Sequence, residues 1–449
     1  MKISVFTNCD GNYHIAGWRH PSAVCDAGTN VQPWIELAKR MEDAKLDMLF
    51  IADSASPQGA SNPNHLSQTA RGFWLEPLTL LSALSTSTTH LGLAATVPTT
   101  WHEPYNVARN FASLDHLSAG RAGWNAVTGR NPEDALNFSR AEHMAHDDRY
   151  DRAEEFVDVV KGLWDSYDDD APLRDKVSGQ FFDPTKLHFI EHRGKHFSVR
   201  GPLSVARPPQ GHPVIIQAGT SESGRKFASR IAEVIFTAQS KLADAQAFYA
   251  DIKSRAASFG RTPDSIKVLP GVSIYVAPTR EAAEAKFQTM QDLIPIAYAI
   301  HQLGVYLGVD LSGFDPNAPM PDLDQKTGMQ DNTRTWLTFA YDNGLTLAQA
   351  AMRSAAAKLH WVIVGTPDEV ADELELWFSS KAMDGINLLP PHLPGSLDDF
   401  IAMVLPILRK RGLFREEYEG PTLRENLGLA RPPSGHAVQT GNKSGVAFA

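Results

Sequence analysis

The sequence predicts an α/β fold, a (β/α)8 barrel of the TIM type carrying loop insertions. Three observations predict it: eight short apolar runs, amphipathic helical patterns between them, and two long stretches that break the alternation. The first run is 3–6. A helical pattern follows, with Trp34, Leu37, Ala38, Met41 and Ala44 at spacings of three and four, and leads into a run at 48–52 that stops at Asp53. The remaining runs are 91–97, 122–126, 214–218, 234–237, 268–275 and 385–389, enough to close a barrel. Helical patterns occupy 77–87, 148–164, 221–231, 243–259, 281–293, 367–381 and 397–411; Thr366 before Pro367 makes an N-cap and first-turn pair. Residues 165–212 and 304–357, punctuated by Gly, Pro and Asp, read as insertions in loops. The whole is expected to be one domain over 1–430 followed by a disordered tail at 431–449, rich in Gly, Ser and Ala.

Bulk properties narrow the function. A length of 449 residues with 43% hydrophobic and 21% charged residues suits a soluble globular enzyme with a large core. The formal charge of -10, without a Lys/Arg block, argues against a nucleic-acid partner. MKISVFTNCD lacks the apolar core of a signal peptide, and nowhere do about 18 apolar residues run together, so a cytoplasmic location away from membranes is expected. Cys9 and Cys25, with no CxxC pair, read as reduced thiols. The pattern contains no GxSxG, Walker or GxGxxG motif, so a cofactor rather than a protein nucleophile is expected to carry the chemistry.

Active-site residues of such a barrel lie at the carboxyl ends of its strands, which selects Asp53, Thr96, Asn125 and the 219–224 loop. AGTSESG at 218–224, between an apolar run and a helix, offers free N–H groups to an anion; the competing reading is a plain N-cap by Ser221. Asp53 has three readings: cofactor ligand, proton carrier or cap of the next turn. Asn125 can donate and accept at once, matching a polar ring edge. His146 and Tyr150, four apart, share a helix face, with a core histidine and a surface tyrosine as the ordinary alternative. His188, His192 and His196 have metal-like spacing, but HRGKHFSVRGPL reads as a hairpin that scatters the rings, so no metal is assigned.

Six segments together resemble the nitrilotriacetate, EDTA, dibenzothiophene-sulfone and long-chain alkane monooxygenase family of the bacterial luciferase-like superfamily. They are WRHP at 18–21, FIADS at 50–54, the block 75–129 ending in GRAGWNAVTG, HDDRYDRAEEF at 146–156, GPLSVARPPQGHPVIIQAGTSESG at 201–224 and VGTPDEVADEL at 364–374. The resemblance spans nearly 1–428 and preserves order and spacing. It implies a barrel with FMN at its carboxyl end, used as FMNH2 delivered by a separate NAD(P)H-dependent reductase. It further implies that O2 is activated as a flavin C4a-hydroperoxide to oxygenate a small organic substrate. Carried over residue by residue, Asp53, Thr96 and Asn125 would lie near the isoalloxazine or ribityl portion, His146 and Tyr150 at the ribityl and phosphate end, and Ser221 on the phosphate. The resemblance also implies a homodimer or homotetramer.

Two departures stand out. Lys45 occupies a place where the family often has glycine, and VTG at 127–129 replaces the family's VTS, removing a hydroxyl near the flavin. No residue is assigned as proton donor to the peroxide, His14 and His301 being the histidines considered. The aromatics of the second insertion, Tyr306, Phe314, Trp336, Phe339 and Tyr341, lean towards an apolar substrate rather than a polycarboxylate. The competing functions are a deazaflavin-dependent oxidoreductase of the same superfamily and a flavin-binding paralogue without turnover.

Overall fold

A computed structural model describes residues 1–8, 11–57, 62–129, 131–323, 331–358 and 360–436. In chain order the strands are β1 (Lys2–Thr7), β2 (Met48–Ile51), β3 (Gly92–Thr96), β4 (Ala122–Asn125), β5 (His192–Arg193), β6 (Ser198–Val199), β7 (Val214–Gln217), β8 (Val234–Thr237), β9 (Lys267–Val276), β10 (Trp361–Gly365) and β11 (Gly385–Leu388). Eight of them pair in parallel in the order β11-β1-β2-β3-β4-β7-β8-β9, and β9 pairs β11 to close the barrel. The expected (β/α)8 architecture is therefore present, and all eight predicted runs are its strands. Their continuous burial reflects two covered faces: Ile3, Leu49, Leu93 and Trp124 meet the surrounding helices, while Met48, Phe50, Ala94 and Val234 fill the interior.

The sequence reading missed one strand. β10, the apolar run WVIVG, pairs with the carboxyl half of β9 outside the closed ring, through Trp361↔Val272 to Gly365↔Val276. β9 is long enough to serve both, closing the barrel with its first half and carrying β10 on its second.

The second insertion also differs from expectation. It is largely helical rather than loop: Ile296–Leu307, Asp331–Asp342 and Leu347–Ala357. Its Gly and Pro residues mark the turns between helices, as at Gly308, the left-handed cap of the first. These helices form a cap with its own core of Tyr298, Ile300, Leu303, Leu337, Leu347 and Ala351, into which Ile15 and Ala16 of the β1 loop insert. The first insertion contains the predicted hairpin, with His192 opposite Val199. His188, His192 and His196 each pair with a separate carboxylate, of Asp168, Glu155 and Asp151.

The amino-terminal end of the barrel is floored by residues 413–430. Leu423, Leu427 and Leu429 pack against Met48, Val214, Val234 and Leu269. A Cβ on Gly92 would lie 2.5 Å from Leu423, so glycine there is what admits the floor. Buried charges are matched at this end: Arg415 meets Asp47 at 2.7 Å, Arg424 holds Glu233, and Asp115 accepts from the backbone of Ala122 and Gln210. Residues 431–436, placed in the disordered tail by sequence, are instead docked, since Arg431 bonds Asp169 and the Gly435 amide donates to Asp165; 437–449 lie outside the described residues. Cys25 is a free, exposed thiol, and Cys9 lies outside the described residues. Among the described residues no helix is long and apolar enough to cross a membrane.

Candidate active site

At the carboxyl end of β2, β3 and β4 the expected polar residues meet. Register places Thr96 beside Asn125, and a chain of hydrogen bonds follows: Asn125 Nδ2 donates to Thr96 Oγ1 at 3.0 Å, which donates to the Ile51 carbonyl at 3.0 Å. Both side chains are 4% exposed, yet Asn125 Oδ1 has no partner. A buried acceptor left without a bond costs about 1–3 kcal/mol, so this oxygen holds bonding capacity that the chain itself does not use. Asp53, two residues beyond β2, accepts from Trp74 Nε1 at 2.8 Å. Burial pushes its carboxyl up to about 7, against the opposing hydrogen bonds from Trp74 and the Ser54 amide. It therefore shares a proton near neutrality and can give or take one.

A second group forms across the mouth. Ser221 caps the helix Glu222–Ile231, its Oγ accepting from the Gly224 amide at 3.1 Å, so the plain capping role exists. The hydroxyl proton remains to be donated, and the helix terminus favours negative charge. The Tyr150 hydroxyl lies directly over this turn: a Cβ on Gly219 or Gly224 would meet it at 3.0 or 2.9 Å. His146 and Tyr150, at the start of the helix His146–Trp164, have rings 5.1 Å apart, and Tyr150 rests edge-on against Phe227. The two glycines, the Ser221 and Tyr150 hydroxyls and the positive end of the helix dipole thus meet at one turn, a cradle of the kind that suits an anion.

Beneath these groups Phe6, Phe50 and Phe236 form an aromatic layer inside the barrel, with Phe6 centroids 4.7 and 4.6 Å from the other two. Tyr13 and His360 sit on it, His360 stacked on Phe236 at 5.0 Å. Next to Tyr13, His14 is 1% exposed. Its Nδ1 accepts from the Ala16 amide at 3.1 Å, which puts the neutral ring's proton on Nε2, and Nε2 has no acceptor. Burial, with the Arg71 and His392 charges, lowers His14 to about 3. The buried ring is therefore neutral near pH 7, with an Nε2–H that no group of the chain accepts.

The profile of a family described as Luciferase-like monooxygenase matches residues 12–382. The chain belongs to that family. This luciferase-like monooxygenase is 48% identical over 440 residues to N-acetyl-S-(2-succino)cysteine monooxygenase of Bacillus subtilis, covering 97% of this chain and 98% of that one. It is 49% identical to nitrilotriacetate monooxygenase component A of Aminobacter aminovorans, covering 93% and 94%. The crystal structure of DmoA from Hyphomicrobium sulfonivorans superposes with a TM-score of 0.87 at 34% identity, covering 95% of this chain and 92% of that one.

Both departures from the family pattern have a backbone meaning in this luciferase-like monooxygenase. Lys45 adopts φ 61, the left-handed region that glycine occupies without strain, and its ammonium pairs with Glu417 at 3.2 Å. Gly129 adopts φ 66, where any side chain is strained, and its carbonyl accepts from Arg149. Sequence reasoning named His14 only as one of two histidines, because its unpartnered Nε2 follows from tertiary packing.

Proposed function

We propose that this enzyme binds reduced FMN across the mouth of the barrel and uses it with O2 to oxygenate a small organic substrate. The observation that carries the reading is the pairing of an unpartnered ring-edge acceptor, Asn125 Oδ1, with an anion cradle at Gly219, Ser221, Gly224 and Tyr150. A flavin mononucleotide presents those two features, a ring with polar edges and a terminal phosphate. Thr96 and Asn125 would orient the ring, Asp53 would hold a proton beside it, and His146, Tyr150 and Ser221 would hold the phosphate. When bound, reduced FMN supplies the two electrons with which one oxygen atom of O2 enters substrate and the other leaves as water. The aromatic layer of Phe6, Phe50 and Phe236 excludes water from below. His14 Nε2 offers a fixed hydrogen bond that needs no protonation change. The name "component A" carried by the nitrilotriacetate relative supports a separate reductase as the source of FMNH2. A cytoplasmic homodimer or homotetramer completes the reading, and a gel-filtration mass of one 49.2 kDa chain would defeat the oligomer.

The test is anaerobic titration with photoreduced FMN, then rapid mixing with O2. The expected result is saturable binding and a long-lived absorbance distinct from both reduced and oxidised FMN. Reoxidation at the rate of free flavin would remove oxygen activation from the reading. Absence of binding would remove FMN and bring the deazaflavin forward.

A further inference from the structure

The loops that follow β3 and β4 are fastened side by side. The Thr99 amide donates to the Val127 carbonyl at 2.8 Å, the Thr99 hydroxyl to the same oxygen at 3.3 Å, and the Thr100 hydroxyl to the Thr128 carbonyl at 2.6 Å. This fastening sets Trp101 against Gly129, the glycine that stands where the family pattern often has serine. A Cβ on Gly129 would lie 3.5 Å from Trp101 Nε1 and 3.9 Å from His143 Nε2, so two side-chain nitrogens from separate stretches of chain face one spot. Both atoms are buried, and neither has a hydrogen-bond partner.

The chemistry of the two nitrogens is opposite. Trp101 stacks on Phe138 with centroids 5.6 Å apart and planes at 12°, meets the His143 ring edge-on at 4.9 Å, and can only donate. His143 Nδ1 lies 3.1 Å from the Met144 carbonyl, which can only accept, so the proton of the neutral ring sits on Nδ1 and Nε2 presents a lone pair. Burial, against that hydrogen bond, holds the imidazole below its ordinary pKa, and the Arg149 charge acts in the same direction as burial.

An N–H and a lone pair at one spot select what they bind. A phosphate or carboxylate oxygen would satisfy Trp101 but meet the lone pair of His143, and an apolar group would leave both unmet. A hydroxyl accepts from the first and donates to the second. Gly129 also connects the two parts of the site already described: it lies four residues beyond Asn125, the ring-edge group, and its carbonyl is held by Arg149, the chain neighbour of Tyr150 in the cradle.

We propose that Trp101 Nε1–H and His143 Nε2 form a hydroxyl-binding pair that receives the ribityl chain of the flavin, the indole N–H serving in place of the hydroxyl that a serine would bring to position 129. The proposal rests on the flavin reading of the mouth. It adds two residues to which neither the strand ends nor the glycine turn points.

The experiment is anaerobic titration with reduced riboflavin and with reduced lumiflavin, which carries a methyl group in place of the ribityl chain; neither probe has a phosphate for the cradle. Trp101→Phe keeps a ring on Phe138 and removes the N–H, and His143→Phe removes the lone pair. Each should weaken reduced riboflavin about three- to tenfold and leave reduced lumiflavin unchanged. An equal fall for both flavins would make the pair part of the packing of the mouth, and unaltered riboflavin affinity in both variants would detach it from the flavin; either result overturns the proposal. So does a wild-type protein that binds reduced FMN yet holds riboflavin no more tightly than lumiflavin, because the ribityl hydroxyls then contribute nothing. Should Trp101→Phe fail to fold, His143→Phe decides. A protein that binds none of the three reduced flavins overturns the flavin reading itself, and this proposal with it.

Discussion

The two ends of the barrel treat polar groups in opposite ways. At the floor Asp47, fully buried, receives the Ile3 amide at 2.6 Å and Arg415 at 2.7 Å, and Arg121 is bonded to Thr88 and to the carbonyls of Ser85, Thr88, Leu91 and Ser118. At the mouth Asn125 Oδ1 and His14 Nε2 are buried without a partner. Burial of polarity is common to both ends, and so are single unpartnered atoms, since Arg415 Nε and Nη1 and Arg424 Nε at the floor also lack one. Charge pairing is what differs: each of those floor guanidiniums meets a carboxylate, whereas the unpartnered groups at the mouth are an amide and a neutral imidazole with bonding capacity to spare.

Breaking a floor pair should therefore cost the most stability. Arg415→Met leaves the buried Asp47 without the guanidinium that pairs with it, and is expected to lower unfolding free energy by about 3–5 kcal/mol in a denaturant titration. The protein that remains folded should bind reduced FMN normally. A loss below about 1 kcal/mol would erase the distinction between the ends.

The mouth should respond in reverse. Asn125→Leu removes the unpartnered oxygen, so stability should hold within about 1 kcal/mol while affinity for reduced FMN falls at least about tenfold. A stability loss as large as that of Arg415→Met, with flavin binding intact, would make Asn125 another structural group.

Asp53 sharpens the contrast through pH. Its folded pKa, about 7, lies above the ordinary carboxylate value of 3.8, so between those values the folded state binds the extra proton and the unfolded state does not. Its contribution to stability is thus greatest below the ordinary value and is lost as pH rises towards 7. Asp53→Asn should flatten that part of the stability profile, and an unchanged slope would assign the decline to other groups.

The smallest effect belongs to Ser221. Ser221→Ala should cost about 1 kcal/mol of stability through the lost cap, and weaken FMN severalfold while leaving riboflavin, which lacks the phosphate, unaffected. Equal losses for both flavins would reduce Ser221 to its capping role.

These contrasts also explain what could be read from the sequence. Strand ends follow from where an apolar run stops, so Asp53, Thr96 and Asn125 were accessible to local reasoning, as was the strand-turn-helix at 218–224. Asn125's missing partner was not, because satisfaction depends on Thr96 and on what approaches from other strands. β10 had a legible signal in WVIVG, but an eight-strand barrel had already been filled. The cap helices were hidden by glycines and prolines that mark turns between helices as readily as they mark loops. Arg71 lies 58 residues from Tyr13, whose carbonyl it holds, and no spacing rule joins them.

The attachment of the cap bears on how the fold can be altered. It leaves the barrel after β9 and returns through β10, and those two strands are hydrogen-bonded neighbours. The whole segment enters and exits at one place, tied elsewhere to the β1 loop through Ile15 and Ala16. Such an arrangement makes the cap one removable piece: it could be lengthened, shortened or exchanged without moving the strand ends that carry Asp53, Thr96 and Asn125.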